Sequence, residues 1–339
     1  MKEKPILQVK DLKVSFLSDK RLIPAVDGVS FELMEGEILG IVGESGSGKS
    51  VTSLSTMGLI PCPPGKIVNG VIEFDGKDLT KLKEREMRKI RGNQISMIFQ
   101  EPMTSLNPLF SIGNQLIEAL RLHTTLTKKE LKARTVELLT LVGIPRASEI
   151  INEHPHQLSG GMRQRVMIAM AMACNPQVLI ADEPTTALDV TIQAQILSLM
   201  KELNKKMNTS IILITHDLGV VADICERVLV MYSGQIVEQG DVRTILKEPK
   251  HPYTIGLLKS VPDLRAKKDR LYSIPGNIPR PGSVMKGCRF AERCDVAESQ
   301  CYEASPQLYK MDDPNHVVRC FLHRDEEEAN HHVRVTSGG

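Results

Sequence analysis

The stretch GEILGIVGESGSGKS, residues 36–50, leaves little choice of fold. Its first half is apolar at nearly every position, the pattern of a parallel strand covered on both faces. Its second half fits G-x-x-x-x-G-K-[ST], and small residues with an apolar run continue to Ile60, as a helix would require. In a strand–turn–helix setting the backbone amides of Gly43, Glu44, Ser45, Gly46, Ser47 and Gly48 can turn inward on the β- and γ-phosphates of a nucleotide, with Val51 in the first helical turn. Lys49 adds a point charge and the Ser50 hydroxyl can ligate Mg2+. The Lys-Ser pair separates this loop from an ordinary glycine-rich turn between a strand and a helix.

A chain of 339 residues has room for one large α/β domain and a smaller appendage. The formal charge of +2, aromatics at 4% and the lack of Trp give no basic, stacking platform for nucleic acid. No run approaches the roughly 18 apolar residues of a membrane helix, and the start, MKEKPILQVKDL, lacks a signal-peptide core. The expected setting is therefore cytosolic, soluble or peripheral to a membrane. There thiols stay reduced, so a cluster among the seven cysteines reads as a metal site before a disulfide framework.

Alternating apolar positions predict strands over 6–16, 26–33 and 37–43, then a helix over 49–60 stopped by PCPPG. GVIEFDGKDL reads as a strand with an Asp75-Gly76 hairpin turn. From about 101 to 175 the pattern turns helical: IGNQLIEALRLH and TKKELKARTVELLTLVGI carry the period, Thr127 with Glu130 makes a capping box, and Gly143 supplies the stop. Strands resume in QVLIADEP and SIILITHD, each after a helical stretch, as in a doubly wound sheet. The core closes near residue 250, a proline-rich connector runs over 274–282, and a cysteine-bearing segment follows to about 325. Residues 326–339 read as a frayed tail.

Two acids end the apolar run VLIADE: Asp182 can hold Mg2+ through water and Glu183 can polarise a water for attack on the γ-phosphate. Alone they would as readily decorate a loop. His216 ends IILITH, at the sheet edge where ligands bind in such folds, within reach of a γ-phosphate and the Glu183 carboxylate.

The stretch HQLSGGMRQRVMIAMAMACNP, residues 156–176, sets these parts in order with Gln100 of SMIFQEP. The ordered set resembles the ATP-binding subunits of ABC transporters over residues 6 to about 250. The resemblance implies a P-loop NTPase cassette of the α/β class: a RecA-like core, an antiparallel β subdomain and a helical subdomain over about 101–175. It places Gly43–Ser50 as the Walker A loop and Asp182 and Glu183 as the end of Walker B. Gln100 becomes the lid glutamine that senses Mg2+ and γ-phosphate, Ala187-Leu188-Asp189 the D-loop, and His216 the switch histidine. Phe16 takes the aromatic position against adenine, where Tyr is commoner and where a core Phe on the first strand is nearly as natural.

Ser159, Gly160 and Gly161 form the signature, followed by Met162 in place of the more frequent Gln. In this family that helix start serves the ATP of a partner subunit, so two chains would close over two ATP molecules. Residues 100–110, QEPMTSLNPLF, match the surface that receives a coupling helix from a membrane subunit, or simply link subdomains.

Cys288, Cys294, Cys301 and Cys320 stand at C-x5-C-x6-C-x18-C, while Cys62, Cys174 and Cys225 are scattered and read as small buried apolar residues. Four thiolates suit Zn2+ or an iron–sulfur cluster; without a C-x2-C knuckle, spacing leaves the metal open. HPYTIGLL, the IPG linker and GCRFAERC resemble the C-terminal extension of dipeptide and oligopeptide importer ATPases. That likeness implies [4Fe-4S] on the four cysteines, with Zn2+ the runner-up and free thiols third. It also implies peptide import at the cytoplasmic side of the cell membrane. The partners would be a second homologous ATPase in a heterodimer, two permease subunits and an extracytoplasmic peptide-binding protein. Nickel or another small solute is the alternative cargo. A soluble non-transport ABC ATPase acting on DNA or ribosomes would bring two cassettes or a long coiled coil, and neither is present. A silent ATP-binding scaffold is disfavoured by Glu183.

Overall fold

The computed structural model describes residues 4–100, 105–186, 188–261, 272–283 and 286–324. Ala187 of the expected D-loop, residues 101–104 of the expected coupling surface and the tail over 326–339 lie outside the described residues. The strands are β1 (Pro5–Ser18), β2 (Arg21–Met34), β3 (Ile38–Val42), β4 (Gly65–Phe74), β5 (Lys77–Asp78), β6 (Ile95–Ile98), β7 (Val178–Asp182), β8 (Ser210–Thr215), β9 (Arg227–Tyr232), β10 (Gln235–Asp241), β11 (Tyr309–Lys310) and β12 (Val317–Val318). Helices α1 (Lys49–Thr56), α2 (Glu84–Ile90), α3 (Ile112–His123), α4 (Lys128–Leu141), α5 (Ala147–Ile150) and α6 (Gly160–Ala171) precede β7. After it come α7 (Val190–Met207), α8 (Leu218–Ile224), α9 (Val242–Lys247), α10 (Pro252–Ser260) and α11 (Ser299–Glu303). The chain folds as two compact units, one of residues 1–7, 32–38 and 73–214, the other of 8–31, 39–72 and 215–339.

In the first unit β6, β7 and β8 run parallel, with Ile95 opposite Val178 and Val178 opposite Ser210. Every residue of β7 and β8 is buried, the expected state of a strand covered on both faces. The register brings Asp182 to the carboxyl end of β7. The helical block forms as the period predicts. Thr127 donates its N–H to Glu130 Oε2 at 2.7 Å and its Oγ1 accepts the Glu130 N–H at 3.4 Å, closing the capping box of α4. Gly143, at φ 74°, ends that helix. Helices α3, α4 and α6 pack on one another through buried Leu116, Leu120, Leu138, Val166 and Ile168.

In the second unit β3 pairs in parallel with β9, from Leu39 opposite Arg227 to Val42 opposite Val230. Strand β10 is antiparallel to β9 with an irregularity between Ile236 and Glu238, and β12 then pairs with β10, Glu238 opposite Val318. The segment beyond residue 250 thus contributes strands to this unit's own sheet. It also contributes core: Tyr253 and Phe290 pack with Tyr232, the Tyr232–Phe290 rings edge-on at 5.2 Å. Helix α1 is shorter than the predicted 49–60. Leu59 donates to Leu54 O at 2.8 Å and Gly58, at φ 59°, to Ser55 O at 3.0 Å, a Schellman stop that ends the helix before the prolines.

A polar node lies inside this second unit. Glu238 is wholly buried and accepts the N–H groups of Lys250 at 2.7 Å and His251 at 3.1 Å, with His316 Nε2 at 2.8 Å. His251 in turn accepts the Tyr253 N–H on Nδ1 at 3.0 Å and so caps α10, whose first residue is Pro252. The HPY sequence is therefore a helix start anchored on a buried carboxylate.

Candidate functional site

The glycine turn after β3 is shaped by a close approach of backbone. Gly43 holds φ 153°, and a Cβ there would lie 2.2 Å from Met231 O; no other residue fits. Lys49 is buried and reaches back across the loop, Nζ donating to Gly43 O at 2.7 Å and Glu44 O at 3.0 Å. Ser45 and Gly46 form the exposed rim, Ser50 and Val51 are half-buried, and Gly48 precedes α1. Ser47 is buried, and among the described residues its Oγ has no hydrogen-bond partner. An unsatisfied buried hydroxyl and a lysine are donors of the kind a polyphosphate needs. Phe16 sits near the end of β1, half-buried, with its ring edge against Gly65, where a Cβ would come within 2.8 Å of Cε1.

Two contacts of this loop were not anticipated from the sequence. The Glu44 N–H donates to Tyr253 Oη at 2.9 Å, and the Glu44 carboxylate pairs with Arg293. Tyr253 belongs to HPYTIGLL and Arg293 to GCRFAERC, so both lie in motifs that the sequence singled out without giving these side chains a task.

In the first unit Asp182 ends β7 at 4% exposure. Glu183 follows at φ 47°, unusual for a non-glycine residue, with its N–H bonded to Ile214 O at 2.9 Å. Its Oε2 accepts from Gln100 Nε2 at 3.1 Å and from Thr186 Oγ1 at 3.0 Å. The structure thus joins two residues that the sequence separates by 83 positions, and adds Thr186 to them. A half-exposed carboxylate oriented by two donors is equipped to take a proton from water. Ser159 caps α6, its Oγ accepting the Met162 N–H at 3.3 Å, and Gly160 begins the helix exposed. Gly161 has a packing reason to be glycine, since a Cβ would meet Ile192 at 2.9 Å. Asp189 caps α7, accepting from Ile192 at 2.9 Å. In the second unit His216 is exposed one residue beyond β8.

The ABC transporter family model matches residues 26–186, and the model of the oligopeptide/dipeptide transporter C-terminal region matches 237–301. The oligopeptide transport ATP-binding protein AppD of Bacillus subtilis is 56% identical over 95% of this chain and 98% of its own length. The chain belongs to the ABC transporter ATP-binding family. The dipeptide transport ATP-binding protein DppD of Haemophilus influenzae is 51% identical over 95% of this ABC ATPase and 97% of its own length. Among solved structures, a dimeric ATP-binding cassette in a post-hydrolysis state with ADP and Pi superposes with a TM-score of 0.63 at 30% identity, covering 70% of this chain and 99% of that one. The cassette is a P-loop NTPase and an ATPase, and no helix among the described residues is long and apolar enough to cross a membrane.

The cysteines of this ABC ATPase follow the sequence reading only in part. Cys62, expected in the core, is exposed in the proline turn after α1, where Gly65 closes onto Pro61 O at 2.8 Å. Cys288, Cys294, Cys301 and Cys320 all line one apolar cavity of about 20 Å3, with Phe290 and Pro252 among its other walls. Burial pushes the Cys320 thiol up to about 11, and raises Cys288 and Cys294 as well. Among the described residues no group of three or more His, Cys, Asp or Glu side chains stands close enough to hold a metal ion, so as placed the four thiols are a lining and not a ligand shell.

Proposed function

We propose that this cassette is the ATP-hydrolysing subunit of a peptide importer at the cytoplasmic face of the membrane. It works as a heterodimer with a second homologous ATPase, beneath two permease subunits fed by an extracytoplasmic peptide-binding protein. The observation that carries the reading is the run of a cassette match into the C-terminal region of oligopeptide and dipeptide transporters, in a chain akin over nearly its whole length to proteins named for peptide transport. Residues 1–250 are read as the cassette and 251–325 as the extension.

In this reading Gly43–Val51 serve the phosphates, with Lys49 as the charge, Ser50 toward Mg2+, Phe16 toward adenine and His216 toward the γ-phosphate. Gln100 and Asp182 serve Mg2+ and Glu183 is the base. Ser159, Gly160 and Gly161 serve the partner's ATP. Mg2+, when bound, offsets charge on the β- and γ-phosphates. Glu183 takes the proton as water oxygen bonds to the γ-phosphorus and the bond to the ADP oxygen breaks, leaving ADP and phosphate. Closure on ATP and reopening after hydrolysis is the equilibrium that a membrane partner can follow.

Reconstitution with its neighbouring permeases and binding protein in proteoliposomes tests the assignment. Addition of di- to pentapeptides is expected to stimulate ATP hydrolysis and to drive labelled peptide inward. Stimulation by nickel with no response to peptides would move the chain to the metal-importing alternative, and full ATP turnover with no membrane partner and no solute response would make it a soluble ATPase.

The four-cysteine cavity supports a narrower reading, a [4Fe-4S] cluster with Zn2+ as runner-up. Four cysteines line one apolar space, and among the described residues of that lining Glu298 is the one carboxylate. To bind, the thiols must ionise and close inward on the metal. Iron and acid-labile sulfide in anaerobically purified protein are expected near four per chain on that cluster chemistry; stoichiometric zinc without iron, or no metal at all, overturns it.

A further inference from the structure

The phosphate loop and the C-terminal extension share the second unit, and the contacts between them fall on the loop itself. Arg293 donates from Nη1 to Glu44 Oε2 at 2.8 Å and from Nη2 to Glu44 Oε1 at 3.2 Å, a two-pronged pair. Its side chain is 4% exposed, against 30% for Glu44. The rest of the guanidinium is fixed too: Nε donates to Pro275 O at 2.9 Å and Nη2 to Ile274 O at 3.3 Å, both in the connector. Tyr232 and Phe290 present their rings at 5.7 Å and 5.9 Å. The arginine is therefore held before it meets Glu44, and the fork costs little further ordering.

A second grip reaches the middle of the loop. Arg289 donates to Asp27 Oδ2 at 2.6 Å and to the carbonyl of Ser233, and the next residue, Gly234, donates its N–H to Ser47 O at 2.8 Å. Glu44 is thus fixed through its backbone by Tyr253 and through its side chain by Arg293, while Ser47 is fixed through the turn that Arg289 holds. Chemically, Glu44 is an awkward residue for this place. An unpaired carboxylate in a loop that gathers phosphates repels the ligand at short range, and a loop free to swing that side chain has more conformations to lose on binding.

We infer that Arg293 is a positioning residue for ATP binding: it pins Glu44 away from the phosphates, cancels its charge, and makes the extension a clasp on the phosphate loop. The inference rests on the reading of Gly43–Ser50 as the ATP loop. It gives the extension a task in the cassette that is independent of whether its cysteines carry a metal.

The test uses the full chain with trinitrophenyl-ATP as the binding probe, and steady-state ATP hydrolysis by the chain paired with its homologous partner ATPase. Arg293→Ala is expected to weaken nucleotide affinity and raise KM about tenfold, the size of losing a charge-assisted pair, with kcat at saturating ATP within about twofold of wild type. Arg293→Ala combined with Glu44→Gln removes the orphaned carboxylate and is expected to bring affinity back to within about twofold of Glu44→Gln alone. Should Arg293→Ala not fold, Arg293→Gln, similar in reach but neutral, carries the same comparison. Unchanged affinity in the single variant, or a double variant as weak as the single, overturns the inference. A wild-type chain that does not bind the probe overturns the ATP reading of the loop instead.

Discussion

Glu183→Gln is expected to cut ATP turnover by about 10²–10⁴-fold, the range of a lost general base, while leaving nucleotide affinity within a few fold. The substitution keeps the shape and keeps an oxygen that can accept from Gln100 and Thr186, now at 3.1 Å and 3.0 Å, but it removes the negative charge that draws a proton from water. Bound ATP then persists. In an ATP-driven closure the persisting ligand should trap the closed pair, so gel filtration of the variant mixed with its homologous partner ATPase, ATP and Mg2+ is expected to show a heterodimer that the wild type forms only transiently. Single-turnover hydrolysis separates the chemical step from product release. Hydrolysis within tenfold of wild type would remove Glu183 from the role of base. Thr186→Ala, which takes away one orienting donor and leaves the carboxylate, should cost far less.

The second large effect is on stability in acid. His251 is buried, and burial, outweighing the pull of Glu238, lowers its folded pKa to about 4. An unfolded histidine titrates near 6.5. Between those values the unfolded chain binds a proton that the folded chain refuses, so the contribution is full at pH 7 and is lost as pH falls through 6.5 toward 4. The whole loss amounts to about 3 kcal/mol. Glu238 pulls the other way, while the nearby charges of His323 and Arg319 add to the lowering. Urea unfolding at pH 7 and pH 5 reads the difference, with about 2 kcal/mol falling in that interval. His251→Asn keeps a side-chain acceptor for the Tyr253 N–H but cannot titrate, and its stability should vary correspondingly less with pH. Parallel pH slopes for the two proteins would show that His251 is not the group responsible.

Much of this architecture could be read from residues in their order. Val42 and Gly43 mark the end of a buried strand because an unbroken apolar run meets a glycine that nothing can replace, and the Thr127–Glu130 cap announces α4 because both partners are local. The pairing of Gln100 with Glu183 was reachable only through family likeness, since nothing in the spacing of 83 residues requires it. Arg293 and Tyr253 were missed for the same physical cause in stronger form. Their partner, Glu44, lies 249 and 209 positions away, and an arginine that ends in a buried ion pair looks in sequence like any surface arginine. Strands β11 and β12, at two residues each, are too short to show a period, and they exist only because β10 offers an edge.

That edge has a practical meaning. With β12 in place, the outer side of β10 is partly occupied and the strand beyond it, β11, is only two residues long, which leaves little for another chain to pair with. A chain cut near residue 250 would keep every nucleotide motif, yet bare the carbonyls and amides of β10 to any passing strand. Solubility of the cassette, as much as its chemistry, is thus written into a two-residue strand that lies about 67 residues past residue 250.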